Sequence, residues 1–419
     1  VAGDSERLAL DLTFAGGGGS VQAGGSLSQI ATAPNYDIKV RATHPDAARL
    51  MQLFAPDWRP AGTLGAFDVY AEMAGSDSAL SLSAIQGTAG PVSVQGEATI
   101  DLAGERAAID ARLQTGEIVI DQFLQASSRA LVVPSLIQPA LAAEGTLWSE
   151  APISLDWLRA IDGKLALTSR AIVHGDRRLA DPAVRARLEG GTLTVEQLDG
   201  GAFGGRIGLS GSLTAAPGAP PRVTARLAVV DADLARLRTG PAGVDLAEGV
   251  LNLDLDIDTV GTSPAALVAA LGGTGRIVVR EGTLSGMDLE GALAAVTGAD
   301  KPKQALDQVA RAMAGGESPF DRLAGTLTID RGVVRSDDLA MTAPNADITG
   351  GGSASLTDWS LDLGLGVKLL ADPELPAFGL TLAGPLDRPR RTLETGELAE
   401  VLESRAAESS RRKAADARP

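Results

Sequence analysis

Cysteine is absent from the 419 residues, and histidine occurs only twice. The first absence excludes disulfides, thiolate zinc sites and cysteine nucleophiles, and is compatible with cytosol and periplasm alike. The second leaves no histidine pair at metal-ligand spacing. His44 in Thr-His-Pro-Asp and His174 in Val-His-Gly-Asp each read as a turn. Aromatic residues make up only 3% of the chain. Positive charge is outnumbered, with a formal net charge of −16, which argues against nucleic acid as a partner because its phosphates need a basic surface. The longest apolar run, near Ala265–Leu271, is far short of the ~20 residues of a membrane helix. The chain opens with valine rather than methionine and shows no signal peptide, so it is expected to be either soluble or a piece of a longer protein.

Catalytic signatures are missing too. There is no G-x-G-x-x-G, no P-loop and no G-x-S-x-G. Neither a catalytic residue, a metal ligand nor a cofactor is assigned, and an enzyme is not expected. The glycine runs Gly16–Gly19, Gly200-Gly201 and Gly350–Gly352 read as hairpin turns rather than phosphate cradles.

Hydrophobic residues are nonetheless 44% of the chain, with 50 glycines and 22 prolines, a balance that suits an all-β chain rich in turns. The stretch GVLNLDLDIDTVG, from Gly249, shows why. Asp254, Asp256 and Asp258 look like part of a calcium loop, but Thr259 and Ala265 stand where such a loop needs glycine and glutamate. Leu251, Leu253, Leu255 and Ile257 fill the alternate positions, so period-two alternation makes the segment a strand with one oily and one wet face. The same alternation places Ile277 and Val279, Leu327 and Ile329, and Leu361, Leu363 and Leu365 on oily rows. Asp337-Asp338 and the Asp254–Asp258 row are the nearest approach to a glycosidase-like carboxylate pair, and both read as solvated strand residues. Turn spacing predicts roughly 20–25 strands.

Helices are few. Ser263-Pro264 opens one that Gly272 is expected to close. Ser285-x-x-Asp288 has the form of a capping box. Leu306, Val309, Ala310 and Met313 form a further stripe, and Leu398, Val401 and Leu402 lie in a charged tail from about Arg390 that is read as helical or disordered. Segments beginning at Ser20, Ser93 and Arg206 repeat one phrase: short strand, glycine, second strand, turn, a strand carrying Arg41, Arg112 or Arg226, then an aspartate opening a helical turn. A copy from Ala346 keeps the strands and loses the arginine. The arginines either pair with repeat aspartates or touch lipid headgroups. Uneven spacing of the copies argues for antiparallel meanders rather than a parallel β-helix.

A few short helices cannot cover some twenty strands, so the sheet must curl, pack on another sheet, or face something apolar that is not protein. A row such as Leu251–Ile257 spans about 20–25 Å, and a curled sheet with such rows inside would make a trough for acyl chains. An ordinary sandwich core is the competing reading.

The runs GGTGRIVVREGTLSGMDLEGAL (from Gly272) and FDRLAGTLTIDRGVVRSDDLAMTAPNADITGGGSASLTDWSLDL (from Phe320) resemble the AsmA family, and so do WSEAPISLDWLRAIDGKLALTSRAIVHG (from Trp148) and LEGGTLTVEQLDGGAFGGRIGLSGSL (from Leu188). The resemblance covers most of residues 1–390 and lies in strand-and-turn patterns. It implies a Gram-negative periplasmic protein anchored in the inner membrane by an N-terminal helix, supporting outer-membrane assembly and moving phospholipid along a β-groove. No such helix occurs in this sequence, which looks like the C-terminal portion.

The expected fold is therefore mainly β: an elongated, curled antiparallel sheet of repeated hairpins with a few short helices, forming a β-groove. The expected divisions are groove repeats over 1–147, a middle module over 148–262, a C-terminal module with two short helices over 263–389, and a tail over 390–419. Leu251, Leu253, Leu255, Ile257, Ile277, Val279, Leu327, Ile329, Leu361, Leu363 and Leu365 are expected to line the groove. Expected partners are phospholipid or another acyl lipid, the inner membrane and outer-membrane assembly proteins. The alternatives are a β-scaffold that binds proteins without carrying lipid, and a polysaccharide enzyme on a solenoid, for which the sequence shows neither clustered carboxylates nor a regular period.

Overall fold

A computed structural model describes residues 2–3, 7–29, 34–51, 64–122, 147–237, 245–297, 299, 301–370 and 372–416. Among them the strands are β1 (Ala2–Gly3), β2 (Arg7–Gly16), β3 (Gly19–Ser28), β4 (Asn35–His44), β5 (Phe67–Gly75), β6 (Ala79–Ala89), β7 (Val92–Asp101), β8 (Ala108–Val119), β9 (Asp162–His174), β10 (Arg177–Glu189) and β11 (Thr192–Ala202). They continue as β12 (Gly205–Thr214), β13 (Arg222–Asp233), β14 (Asp245–Val260), β15 (Gly272–Ser285), β16 (Glu317–Asp330), β17 (Val333–Thr342), β18 (Ala346–Ser355), β19 (Ser360–Leu369), β20 (Phe378–Pro385) and β21 (Arg390–Glu394). The α-helices are α1 (Ala47–Met51), α2 (Leu234–Leu237), α3 (Pro264–Ala269), α4 (Leu289–Val296), α5 (Pro302–Ala312) and α6 (Gly396–Asp416). The fold is thus mainly β, a sheet of successive hairpins with helices interspersed, as alternation predicts. The chain packs as two units, 1–146 with 151–202 and 207–224, and 147–150 with 203–206 and 225–419.

In the first unit, β2 through β8 form an antiparallel meander. Its first turn is Gly17-Gly18, at φ 60° and 92°, a left-handed pair that glycine adopts without steric cost. β9 then pairs with β8 in parallel, a departure from the expected meander, before β10 and β11 return to antiparallel order. Opposite residues share a face, so Leu80, Ile100 and Ile109 form one cross-strand row and Gly96 and Leu113 another. On β7, Val94, Gly96, Ala98 and Ile100 are half-buried, while Ser93, Gln95, Glu97 and Thr99 are exposed. The buried clusters lie elsewhere: Ala47, Ala48 and Leu64 beside α1, and Leu158, Leu188 and Ala215 beside the 3-10 turn Asp156–Arg159.

In the second unit, β14 through β21 pair antiparallel in chain order. α4 and α5 pack on each other, and α6 packs on α5 and β20. Around them lies a compact core that includes Val279, Leu289, Val309, Phe320, Ile348, Val367, Phe378 and Leu398, each at most 4% exposed. Charged residue 390 onward is therefore ordered into a strand and a helix.

Local details correct several sequence expectations. Ser263 does cap α3 through a bond from the Ala266 N–H, but the cap at the far end is Ala270, and Gly272 begins β15. The N-cap of α4 is Asp288 itself, whose carboxylate accepts from the Gly291 N–H at 2.7 Å, while Ser285 ends β15. On α5 the buried positions are Ala305 and Val309, with Met313 buried just beyond the helix and Ala310 exposed. Gly200-Gly201 and Gly350–Gly352 sit inside β11 and β18 rather than in turns. Likewise the repeat glycines Gly25 and Gly96 lie within single strands, so each repeat is one hairpin rather than three pieces. Its closing aspartate behaves as read: Asp46 accepts from Ala48 N and Asp233 from Ala235 N, each opening a helical turn. The second copy's last residues, Phe123 and Leu124, lie outside the described residues.

Candidate functional site

The eleven aliphatic residues singled out from sequence fall on one face of the second unit's sheet. Leu251 opposes Val279, Leu253 opposes Ile277, and Leu255 and Ile257 oppose Gly275 and Gly273. Those two glycines oppose Leu327 and Ile329 on β16. Ile329 opposes Val334, which opposes Ala354, which opposes Leu361. Since facing residues share a side of the sheet, the rows join from β14 to β19.

Burial divides this face. Val279 (0%), Leu251 (8%) and Ile329 (8%) are buried. The other eight, Leu253, Leu255, Ile257, Ile277, Leu327, Leu361, Leu363 and Leu365, are only half-buried. The row Val279, Leu323, Met341, Ile348, Val367, Phe378 marks the packed end, where all but Leu323 are at most 5% exposed. Glycine keeps the half-buried part low. Gly275, Gly273, Gly325, Gly352 and Gly350 stand opposite Leu255, Ile257, Ile277, Leu363 and Leu365. A large side chain therefore lies across a bare backbone.

The first unit shows the same feature more strongly. Across β2 to β8, Val92 is the one hydrophobic residue among those described that is buried. Leu12 (48%), Phe14 (72%) and Val21 (40%) stand far out of any packing. An apolar face held half-open over seven strands is contrary to how an ordinary core is built, because each uncovered aliphatic group forgoes roughly 1.5–3 kcal/mol of burial. Sequence reading named no residue of this unit as lining. The signal was there, in rows such as Leu80, Leu82 and Val94, Ala98, Ile100.

The opposite face is polar and cross-linked by charge. Arg41 forks onto Asp68 (2.9 and 2.7 Å), Arg226 forks onto Asp256 (2.7 and 3.0 Å), and Arg112 meets Glu97 at 2.8 Å. All three repeat arginines are thus paired with acids on neighbouring strands. The guanidinium bonds hold Asp68 and Asp256 below the usual aspartate range. Asp254 and Asp258 are exposed on the same face. Asp338 accepts from the Thr326 N–H (2.7 Å) and hydroxyl (2.9 Å), which lowers its pKa and ties β17 to β16; Asp337 points to solvent. His44 closes the β2–β3 turn through Gly17 O (3.2 Å), and His174 lies 2.7 Å from Asp121. These are structural contacts. One charged residue sits in an inward register position unforeseen from sequence: Arg391, opposite Leu382, donates to the carbonyls of Gly286 and Met313, and burial lowers its pKa.

Fold and site together define a β-sheet protein whose one face is aliphatic and incompletely covered. The sequence matches the AsmA family over residues 138–339, which supports an AsmA-family protein. That match supports a general part in envelope and outer-membrane biogenesis. No curated protein and no solved structure matches the chain. Among the described residues no helix is long and apolar enough to cross a membrane.

Proposed function

We propose that the chain binds phospholipid or another acyl lipid on its aliphatic face and passes it along that face in the periplasm. The observation that carries this reading is the near-absence of buried hydrophobic residues across β2–β8, which leaves apolar surface for an apolar ligand. From Leu251 to Ile257 a row runs for about 20 Å, the scale of an extended acyl chain. The match to the AsmA family supports an association with the envelope, within which the reading places the chain in the periplasm and attached to the inner membrane. No chemistry is required of the protein, so the role is carriage rather than catalysis.

The test is native mass spectrometry of the purified chain, wild type against Leu255→Asp/Leu363→Asp. Both positions are half-buried, so the charges meet the ligand surface rather than the packed core around Val279. Retained phospholipid in the wild type and its loss in the folded variant is the expected result. Equal load in both would refute the reading.

The packed end of the second unit favours one alternative, a scaffold that contacts outer-membrane assembly proteins without holding lipid. A wild-type chain that carries no lipid yet captures such a partner would establish it.

A further inference from the structure

The step in burial across the second unit's aliphatic face occurs at one strand. Leu363 and Leu365 on β19 are half-buried, whereas Leu382 (3%) and Leu380 (1%), directly opposite on β20, are fully buried. The helix packed against β20 is α6, which also packs on α5. That helix has 21 residues and a length of ~30 Å, but among its described side chains only Leu398 (1%) and Leu402 (2%) are fully buried.

A further attachment is a charged contact at the surface. Arg405 bonds to Asp372 and, at 3.1 Å, to Glu374, both in the loop between β19 and β20. With side chains 34% and 36% exposed, the Arg405–Asp372 pair is open to water and screened by salt. At the other end of α6 the chain turns through exposed Gly396, where a Cβ would meet nothing within 4 Å. Such a residue takes new backbone angles without collision. The neighbouring helix is held differently. Arg391, on β21, reaches the carbonyl of Met313 at the end of α5 and that of Gly286, so α5 has an inward anchor independent of α6.

We infer that α6 is a lid over β20, hinged at Thr395–Gly396 and latched by Arg405 on Asp372, whose opening extends the aliphatic face from Leu363 and Leu365 onto Leu382 and Leu380. This rests on the lipid reading above and specifies how ligand enters or leaves that end. Closing the lid keeps the oily surface of β20 out of water when no lipid lies there; opening adds one strand to the surface along which an acyl chain can lie.

The absence of native cysteine allows one protein to be compared in two states. In Asp372→Cys/Arg405→Cys the latch is lost, and a short bismaleimide then locks the same two positions together. Donor vesicles of phosphatidylglycerol carrying a fluorescent phospholipid report transfer to acceptor vesicles. The unlocked variant is expected to transfer several-fold faster than wild type and the locked one more slowly than wild type, with amide exchange over residues 378–382 fast in the first and slow in the second. Equal transfer by both forms, from a wild type that carries lipid, overturns the lid and leaves the lipid reading standing. No transfer and no bound lipid in any form overturns that reading and the lid with it. Should the double variant misfold, Arg405→Gln serves alone, and unchanged amide protection at 378–382 counts against the lid.

Discussion

Leu255 lies directly across from Gly275, and a Cβ on that glycine would sit 2.4 Å from Leu255 Cδ2. The leucine rests on its neighbour's backbone because there is no side chain to hold it off. Gly275→Val should therefore displace Leu255 and lower stability by about 1–3 kcal/mol in denaturant titration. Gly364 on β19 is a matched control, since a Cβ there meets only the Gly351 carbonyl oxygen at 4.0 Å. Gly364→Ala should leave the midpoint unchanged or raise it.

Ser318 is 2% exposed and accepts from the Leu289 N–H at 2.8 Å while donating to Met287 O at 2.9 Å. Ser318→Ala strands the first amide of α4 in the core. A loss of about 1–3 kcal/mol is expected from the unsatisfied donor. Asp288→Ala removes the cap of the same helix and should cost about 1 kcal/mol. The two act on one helix end, so the double variant should fall short of or exceed the sum.

The Arg226–Asp256 pair sets a pH dependence with a definite sign. Because Asp256 titrates below its ordinary value in the folded chain, its contribution is present above the unfolded aspartate pKa and is lost as pH falls through the lowered one. Arg226→Gln should flatten that part of the acid limb by lowering stability slightly near neutral pH and leaving it unchanged in strong acid, the loss being small because side chains 71% and 56% exposed are well screened. Thermal melts from neutral to strongly acidic pH would show it, and an acid limb identical to wild type would contradict it.

Phe14 is 72% exposed. Its removal should cost the fold little: Phe14→Ser is expected to shift stability within about 0.5 kcal/mol. On the lipid reading it should also weaken co-purification of lipid with the first unit's strands. A large loss of stability would mean that Phe14 is packed in solution.

Strand content and facing were legible because alternation is local: Leu251 through Ile257 declare their side of the sheet without reference to any partner. At four places where alternation failed, a left-handed non-glycine residue intervened. Ala84, Asp181, Asp231 and Glu281 have φ between 46° and 54°. At Glu281 the buried positions change from Val279 to Gly282 and Leu284, one residue out of step. Such bulges depend on the neighbouring strand and have no residue-type signature here. The glycines of β11 and β18 were misplaced for a related reason: a glycine that admits a turn equally admits a facing leucine.

From the sequence alone came the β class, the oily rows and the polar face, since each follows from residue type and period two. Tertiary structure decided which rows are covered. Val279 and Leu255 are equally apolar on adjoining strands, yet one lies in the packed core and the other is half-open. That difference is one of packing between segments distant along the chain, which no local pattern encodes.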